Sequence, residues 1–422
     1  VIMNKLICHR SVLFRKFYSS AILPDIDLSY YCDSKNAAEI KNNILLRKGV
    51  GDIDRVLNVF RRMKNTPESN SSYNTLKTKL YRELCCLPNK THPSVLEYKD
   101  EPYILYEIND KRDFGIHEPL EFSEITRRLN LMRTDKLGNT CGHKSYYFLG
   151  DLAELEEALI KYTVSFILKN GFQLVSVPDI LPSSVLESCG MKVNTDRTQI
   201  YSLDPLHHGP DLYLSGTAEM SLAGLLMNSI HNKKNLPLKL AAVSRCYRAE
   251  TSNIIEERGI YRVHQFTKVE MFAVTTPEQS DEMLDNIRQT QEKLFAALGL
   301  HMRVLDMPAY ELGAPAYRKY DIEAWMPGRR KYGEISSCSN CTDYQSRRLH
   351  IRYEDNGSMK YVHTLNGTAC AVPRMLITLL ETNQDPKGKI FIPKVLQPFI
   401  NDKKYIVKNN QIPDLKLTKI KK

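Results

Sequence analysis

The chain has 422 residues, 42% hydrophobic and 26% charged, and its 59 basic and 49 acidic side chains give a net charge of +10. This composition excludes collagenous, low-complexity and wholly disordered proteins. No apolar run approaches the roughly eighteen residues that a membrane-spanning helix needs, so we expect no membrane partner. The length is sufficient for two or three domains with at least one large core.

The positive charge is concentrated in three segments. Residues 1–20 carry +4, residues 41–90 carry +7 and residues 403–422 carry +6, so the rest of the chain is acidic on balance. A basic segment beside an acidic body is typical of a protein that binds a polyanion such as nucleic acid. A solvated lysine-rich surface gives the same count, and counting alone does not separate the two interpretations.

The two termini are predicted to lie outside the folded domains. Residues 1–20 mix four bases with leucine, valine and phenylalanine, contain serines, and have no acid. Such a segment predicts a basic amphipathic helix of the kind found in mitochondrial transit peptides, the alternative being a disordered basic tail. Residues 403–422 carry no motif and are interpreted as a basic C-terminal tail.

Two short helices are predicted after the leader. Asp52 is a good N-cap for a helix that stops before Pro67, and a second helix ends at Leu87-Pro88. Their apolar positions follow helical spacing: Ile53, Val56, Leu57 and Phe60 in the first, and Tyr73, Leu76, Leu80 and Leu84 in the second. We therefore predict a small basic hairpin, within an N-terminal domain and connector over residues 25–110 that includes a strand at Tyr103 to Tyr106.

From Asp151 onward the pattern is that of a larger domain. A strongly amphipathic helix begins there and closes at Asn170-Gly171, and the apolar run FQLVSVPDIL, broken by Pro178, then predicts a strand and its exit. Alternation in RVHQFTKVEMFAV and YRKYDIEAWMP indicates antiparallel strands. Helices are predicted at Pro277 to Leu298 and at Ala369 to Glu381. Strands and helices mixed without βαβ regularity predict an α+β fold.

The ten cysteines do not have the spacing of a disulfide framework, which favours a reducing compartment. Cys338 and Cys341 form a CxxC pair, but a four-ligand zinc site would need a second pair at finger-like spacing, and none follows. We expect these two thiols to be packing residues.

A nucleotide site is predicted at a hairpin, because the sequence contains neither a P-loop nor a Rossmann glycine pattern. Arg248 and Glu250 are two residues apart, and Phe266 lies in the alternating run that returns after a loop. An arginine, a glutamate and an aromatic ring on one face can neutralise a phosphate, accept from an exocyclic amine and stack on a purine. The alternative is a surface hairpin with cross-strand ion pairs.

Three other segments carry chemistry of the same kind. Thr217 and Glu219 offer a hydroxyl and a carboxylate to a small ammonium-bearing ligand, and Glu334 and Ser337 offer oxygen ligands to a magnesium ion bound to phosphates. Arg374 lies near the start of a predicted helix. Asn366 and Thr368 lie just upstream of it. Each segment alone is a weak signal, whereas their order along the chain is specific.

In this order, the segments resemble those of class II aminoacyl-tRNA synthetases and, among them, the seryl-tRNA synthetase family. GFQLVSVPDILP resembles the dimer-forming first motif, RAE with RGIYRVHQFTKVEMF the second, and NGTACAVPR the third. TAE at 217–219 and EISSCSN at 334–340 resemble segments specific to the seryl branch, and LPNKTHPSV and YDIEAWMP are closest to animal mitochondrial members. The resemblance implies a class II antiparallel sheet flanked by helices over residues 111–402.

The resemblance also implies roles for individual residues. Arg248 would contact the α-phosphate of ATP and Arg374 the γ-phosphate, which makes these two the catalytic residues. Glu334 and Ser337 would bind Mg²⁺. The residues implied in ATP binding are Arg248, Ala249, Glu250, Val263, Phe266, Glu334, Ile335, Ser336, Ser337 and Arg374. The residues implied in serine binding are Thr217, Glu219, Glu270, Asn366 and Thr368.

The implied partners are L-serine, ATP, a mitochondrial serine tRNA in the matrix, and a second subunit. The family's N-terminal domain is a long coiled coil that grips tRNA, whereas the first predicted helix here has about thirteen residues, roughly 20 Å, and sustained heptads are absent. Either a short arm suffices in a homodimer, or an arm-bearing paralogue completes a heterodimer. The main rival function is a catalytically inactive synthetase paralogue that binds RNA or a partner.

Overall fold

The computed structural model describes residues 23–134, 141–193, 199–250 and 259–412. The predicted transit peptide over residues 1–20 lies outside them. The α-helices are α1 (Leu28–Tyr31), α2 (Ala37–Leu46), α3 (Ile53–Lys64), α4 (Ser71–Cys85), α5 (Phe122–Arg128), α6 (Asp151–Lys169), α7 (Ser183–Ser188), α8 (Pro205–His208), α9 (Ala218–Leu225), α10 (Ser280–Ala296), α11 (Tyr344–Leu349) and α12 (Val372–Asn383). The strands are β1 (Tyr103–Ile108), β2 (Met132–Arg133), β3 (Tyr147–Phe148), β4 (Gln173–Leu174), β5 (Ile180–Pro182), β6 (Leu212–Leu214), β7 (Ile230–Asn232), β8 (Leu238–Tyr247), β9 (Gln265–Thr275), β10 (Met302–Asp306), β11 (Arg318–Met326), β12 (Lys331–Asn340), β13 (Arg352–Asp355), β14 (Ser358–Tyr361), β15 (His363–Ala371), β16 (Ile390–Phe391) and β17 (Tyr405–Ile406).

An eight-stranded sheet forms the centre of the fold, in the order β1-β10-β11-β12-β15-β9-β8-β4. Its strand pairs are antiparallel except for β4 and β8, which run parallel. The predicted α+β class and the mostly antiparallel sheet are thus confirmed. Residue alternation along the strands decides which side chains each face of this sheet carries.

One face of the sheet packs against helices α10 and α12. On β11, Tyr320, Ile322 and Ala324 belong to the core on this face. Because side chains alternate along a strand, residues 319, 321 and 323 point to the opposite face. That opposite face carries a second apolar core under α9, which includes Phe272, and beside it the polar cleft described below.

One predicted helix boundary is corrected by the structure. Helix α12 begins at Val372 rather than Ala369, since β15 continues to Ala371, which pairs with Lys268 of β9. Pro373 lies in the first turn of the helix, where its fixed φ and missing N–H fit. The helix therefore starts immediately before its proline, and the three residues upstream of it serve the sheet.

The run FQLVSVPDIL contains less strand than predicted. Only Gln173 and Leu174 join the central sheet, as the parallel strand β4 beside β8. The chain then passes Pro178, which has no N–H to donate to a ladder, and Ile180–Pro182 pairs instead with β6. Leu174 and Ile180 are about half exposed, so this segment leaves an apolar surface uncovered in the single chain.

The N-terminal helices form a small separate core. Helices α3 and α4 pack against each other, as predicted, and Asp52 caps α3 by accepting from the Arg55 N–H at 3.0 Å. Helix α2 was not predicted, because only Ile40 and Ile44 are buried on it and its apolar signal is correspondingly weak. This small core is therefore built from three principal helices rather than from a two-helix hairpin alone.

Arg47, just after α2, joins these N-terminal helices to the part of the chain that carries the central sheet. Its buried Nη1 donates to the carbonyl oxygens of Asn89 at 2.9 Å and Ala316 at 2.8 Å. Burial lowers the pKa of the guanidinium to about 10, and it remains charged at neutral pH. Since one cation serves carbonyls from both parts of the chain, the two parts are held in fixed contact.

The described half of the predicted C-terminal tail packs against the body. Lys403 Nζ donates to Asp151 at 2.6 Å and to Glu154 at 2.8 Å. Strand β17 pairs with β16. Residues 413–422 lie outside the described residues, so a free basic tail remains a prediction for those ten. Within the described ranges, no helix is long and apolar enough to cross a membrane.

Candidate active site

A cleft of about 590 Å³ lies beside strands β9, β12 and β15, at the N-terminal end of α12. It is lined by all the predicted ATP-binding residues except one: Arg248, Glu250, Val263, Phe266, Glu334, Ile335, Ser336, Ser337 and Arg374. Ala249 lies next to it and donates its backbone N–H to Gln199 at 2.8 Å. Residues from three distant parts of the sequence are thus brought together as one wall.

Arg248 and Glu250 reach the cleft in a different way from that predicted. Strand β8 ends at Tyr247, so the two residues lie just beyond the strand rather than on one of its faces. The Arg248 N–H donates to the His264 carbonyl at 2.9 Å, which continues the hairpin pairing past the end of β8. The Arg248 guanidinium carbon lies 5.3 Å from the Phe266 ring centre, within cation–π distance.

Glu250 is a buried carboxylate at the edge of the cleft. It is 7% exposed, and its Oε2 lies 3.5 Å from Arg262 Nη1. The Glu250 backbone carbonyl accepts from Lys144 Nζ at 3.1 Å. The ion pair thus orients the carboxylate and the lysine anchors its backbone, in the same cleft as the Phe266 ring.

Arg374 projects from the first turn of α12 toward β12. Its Nη1 donates to Glu334 twice, to the backbone carbonyl at 3.0 Å and to Oε2 at 3.1 Å. The guanidinium also lies over the Tyr261 ring at 4.5 Å. Burial raises the pKa of Glu334, but the positive charges of Arg374, Lys319 and Arg248 outweigh burial and leave that pKa below its usual value.

Strand β12 supplies the next three residues. Ser336 is buried and its hydroxyl donates to the Thr368 carbonyl at 2.5 Å. Ile335 is fully buried in the core behind the cleft. The pairing with β11 is irregular here: Glu334 pairs with Glu323 and Ser336 with Ile322, so Ile335 is the extra residue. This bulge allows both Glu334 and Ser337 to line the cleft although they are three residues apart.

The predicted serine-binding residues form a second cluster next to the first. Thr368 lines the cleft, and its hydroxyl donates to Glu270 Oε2 at 3.5 Å. Lys268 Nζ lies 2.5 Å from the same oxygen. Thr217 is the N-cap of α9 and its hydroxyl accepts from the Glu219 N–H at 3.4 Å, so these two residues sit at the start of a helix.

Glu219 is the most electrostatically crowded of these groups. Gln345 donates to its Oε1 at 2.7 Å, and Asn366 is a second donor. Burial and the neighbouring charge of Glu270 raise the pKa of Glu219 to about 7, against the opposing effects of Gln345, Lys268 and Asn366. A carboxylate that is destabilised in this way gains most from a cationic ligand.

Sequence reasoning gave no role to four residues of this site. Lys268 and Arg262 belong to the alternating run RVHQFTKVEMF. The available signals were that Lys268 lies two residues before Glu270 and that Arg262 directly precedes Val263. Tyr261 precedes that run. Gln345 carried no signal, because its contact with Glu219 joins residues 126 positions apart.

The two clusters suit different charges. The first presents Arg248 and Arg374 together with an aromatic ring, which fits a purine nucleotide and its phosphates. The second presents Glu219, Glu270 with its partner Lys268, and hydroxyl and amide groups. Two carboxylates against one lysine leave it negative on balance, which fits an ammonium group on a small polar molecule. Because the clusters adjoin, a carboxylate between them would lie close to a phosphate.

A family model for the tRNA synthetase class II core domain (G, H, P, S and T) matches residues 201–383. The matched range contains the predicted site residues listed above. It starts before α9 and ends with α12.

Curated relatives are similar over most of the chain. The mitochondrial serine–tRNA ligases of Mus musculus and Bos taurus are each 46% identical over 77% of this chain. The mitochondrial serine–tRNA ligase of Saccharomyces cerevisiae is 42% identical over 80% of this chain and 76% of its own length. The match covers 63% of the mouse and cow proteins, so the chain spans a little less than two thirds of their length.

Two solved structures share the fold. The seryl-tRNA synthetase of Pyrococcus horikoshii complexed with ATP superposes with a TM-score of 0.82 at 29% identity, covering 91% of this chain and all of the other. The cytoplasmic serine–tRNA ligase of Naegleria fowleri in complex with AMP gives a TM-score of 0.79 at 26% identity, covering 91% of this chain and 99% of the other.

Proposed function

Because the chain belongs to the serine–tRNA ligase family of class II synthetases, we propose that it activates L-serine with ATP and transfers the seryl group to a serine tRNA. The carrying observation is that the cleft holding Arg248 and Arg374 is also lined by Lys268 and Thr368, which both contact Glu270, and that Glu270 in turn neighbours Glu219. Each cluster matches one of the two substrates. Their contact allows the two substrates to react.

In this proposal, the serine cluster orients the amino acid. Glu219 and Glu270 bind the ammonium group, and Thr368 contributes a hydroxyl beside Glu270. A site that hydrogen-bonds the serine hydroxyl rejects alanine, since buried polar groups would be left without partners, and a tight pocket excludes the extra methyl of threonine. The serine carboxylate is then the end of the molecule that faces the nucleotide.

The nucleotide cluster positions ATP and stabilises charge. Phe266 stacks on the adenine, Glu250 accepts from its exocyclic amine, and Arg248 binds the α-phosphate while Arg374 binds the γ-phosphate. The serine carboxylate attacks the α-phosphorus in line, and pyrophosphate leaves. No acid–base residue is needed, because catalysis of phosphoryl and nucleotidyl transfer depends mainly on positioning and on fixed charges at the phosphate oxygens.

The residues of β12 fit a magnesium ion that accompanies ATP. Glu334 and Ser337 offer a carboxylate and a hydroxyl, and Mg²⁺ in nucleotide sites commonly takes one or two protein oxygens and completes its shell with phosphate and water. The lowered pKa of Glu334 keeps that carboxylate ionised at neutral pH. When bound there, magnesium would supply positive charge to the phosphate oxygens.

The N-terminal helices provide a basic surface for tRNA. Arg61, Arg62 and Lys79 are exposed on α3 and α4, where they can neutralise backbone phosphates. Helix α3 has 12 residues, about 18 Å at the usual rise, so its reach is short. After adenylate formation, the terminal ribose of the tRNA is the acceptor of the seryl group.

We also propose a dimeric assembly. The half-exposed Leu174 and Ile180 belong to the segment that resembles the dimer-forming first motif. Burying such an apolar surface against a second subunit would stabilise it. The partner is either a second copy or an arm-bearing paralogue. If the purified chain alone forms homodimers that charge a mitochondrial serine tRNA at full rate, the paralogue is not required.

The proposed compartment is the mitochondrial matrix. Its support is the basic, acid-free composition of residues 1–20 and the mitochondrial names of the mouse, cow and yeast relatives. Import of a full-chain fusion into isolated mitochondria, with and without residues 1–20, tests the signal directly.

Serine-dependent exchange of pyrophosphate into ATP tests the proposed activity. The reaction requires both clusters and no tRNA, so it separates catalysis from tRNA binding. We expect exchange with serine and much less with alanine or threonine. A folded sample that shows no exchange would favour a non-catalytic, RNA- or partner-binding paralogue instead.

A further inference from the structure

Asp321 lies on β11, directly opposite Ser337 of the neighbouring strand β12. The two residues are Cα partners in an antiparallel ladder, so their side chains point to the same face with Cβ atoms about 5 Å apart. On β11 the core-facing residues are Tyr320 and Ile322. Asp321 therefore faces the side of the sheet that carries the cleft.

One oxygen of this carboxylate is bonded and the other is not. Asp321 is 5% exposed, and its Oδ2 accepts from Lys319 Nζ at 2.7 Å. Its buried Oδ1 has no hydrogen-bond partner among the residues that the structure describes. A buried acceptor without a partner costs free energy, and such groups in a native protein commonly mark a ligand or a functional contact.

The main chain of Ser337 is fixed, whereas its side chain faces the cleft. Its backbone carbonyl accepts from the Gln291 amide at 2.9 Å, which fixes the main chain. Its side chain lines the cleft next to Glu334. A serine hydroxyl binds a cation through an oxygen lone pair, so its proton must be donated to a different acceptor. Across the ladder, the carboxylate oxygen without a partner is Asp321 Oδ1.

We propose that Asp321 is a positioning residue for the magnesium site, accepting the Ser337 hydroxyl proton so that the hydroxyl oxygen is directed toward the metal. Lys319 neutralises the carboxylate and holds its other oxygen. The inference rests on the proposed function, because that function supplies the metal. Partners of this kind orient metal ligands, and losing one typically weakens metal binding about 10- to 100-fold.

The alternative is that Asp321 only stabilises the fold through its ion pair with Lys319. The variant Asp321→Asn separates the two roles. Its amide has one acceptor oxygen, which the ammonium of Lys319 takes, so the NH₂ group faces Ser337 and cannot accept its proton. Asp306→Asn is the matched control, because Asp306 is a fully buried aspartate on β10 that pairs with Arg318 at 2.6 Å and points to the other face.

The experiment measures Mn²⁺ binding to the full chain by electron paramagnetic resonance of free Mn²⁺, in the presence of a non-hydrolysable ATP analogue. We expect Asp321→Asn to weaken Mn²⁺ binding about tenfold or more, with the metal-free affinity for the analogue unchanged. Asp306→Asn should bind Mn²⁺ like the parent. In a Ser337→Ala background, Asp321→Asn should add little, because it acts through that hydroxyl.

Parental Mn²⁺ affinity in a folded Asp321→Asn variant would overturn the positioning role. If that variant does not fold, Lys319→Met with Asp321→Asn removes both members of the ion pair and is measured in the same way. Absence of nucleotide-dependent Mn²⁺ binding by the parent would instead refute the magnesium site of the proposed function. The two failures are therefore distinguishable.

Discussion

At the proposed nucleotide end of the site Glu334 lies 3.1 Å from Arg374, whereas at the proposed serine end, beside the cleft, Glu219 accepts from Gln345 and neighbours a second carboxylate, Glu270. Burial acts to raise the pKa of both carboxyl groups. Their pKa values nevertheless move in opposite directions, downward for Glu334 and to about 7 for Glu219. The comparison teaches that burial raises the pKa of both carboxyl groups, and that nearby cations reverse its effect only at Glu334.

The environments of Glu334 and Glu219 favour ligands of opposite charge. A glutamate already paired with an arginine is ionised before ligand binds and can share its site with a metal and phosphates. A glutamate crowded by another carboxylate is relieved by a cationic ammonium group. The two adjoining clusters thus combine one end suited to anions with one end suited to a cation, although the chain around both has little net charge.

The largest expected effect comes from removing the cation of the nucleotide end. Replacing Arg374 with alanine should lower the rate of pyrophosphate exchange by about 100- to 1000-fold, the usual loss for one fixed donor at developing charge. Arg374→Lys keeps the charge but not the two-donor geometry, and should retain an intermediate rate. Equal rates for the alanine variant and the parent would remove Arg374 from the catalytic account.

At the serine end, Glu219→Gln should raise the KM for serine about 10- to 100-fold, because a neutral amide replaces a carboxylate beside the ammonium group. The KM for ATP should change little. Glu187→Gln is the matched control, since Glu187 is also a carboxyl whose pKa is raised by burial, but it lines a different pocket, together with Arg82 and Met191. A Glu187 variant with the same loss would indicate a non-local effect.

Serine binding should depend on pH through the same residue. With the pKa of Glu219 at about 7, the ionised form that binds ammonium is depleted below that pH, so affinity falls by up to about tenfold per pH unit. Calorimetric titrations of serine between about pH 6 and about pH 8 should show this loss in the parent. The same series on Glu219→Gln should be nearly flat, and a parallel slope would assign the dependence to another group.

The smallest effects should appear in thermal stability, with opposite signs at the two ends. The raised pKa of Glu219 means that stability is lost as pH rises from its unfolded value of about 4.5 through about 7. The lowered pKa of Glu334 means that stability is present above that unfolded value and is lost as pH falls. At about pH 8, Glu219→Gln should raise Tm and Glu334→Gln should lower it, each by about 1–3 °C. Shifts of the same sign would contradict the comparison.

The sheet was predictable where alternation is strong, and less so where other forces decide. The run at residues 262–274 predicted β9 well, although the strand is buried on both faces: Val269, Met271 and Ala273 lie in one core, and Phe272 and Val274 in the other. FQLVSVPDIL was over-predicted as strand, since its apolar residues include Leu174 and Ile180, which are exposed in the single chain. Apolar character alone does not distinguish a core position from an uncovered surface.

The site was predictable to the extent that its residues fall in recognisable segments. Nine of the ten residues expected around ATP line one cleft. Arg248 and Glu250 were predicted to lie on a strand, but β8 ends at Tyr247 and both residues follow it, where they line the cleft. Gln345 and Asp321 could not be found from local spacing, because Gln345 bonds Glu219 and Asp321 lies opposite Ser337, each on a different element.

The most direct test of the whole account is a single turnover with enzyme in excess of ATP, in the presence of magnesium and either serine, alanine or threonine. The account predicts seryl-adenylate and pyrophosphate with serine, and little adenylate with the other two amino acids. Adenylate formation that is equal for serine and alanine, or absent for serine in a folded sample, would contradict it.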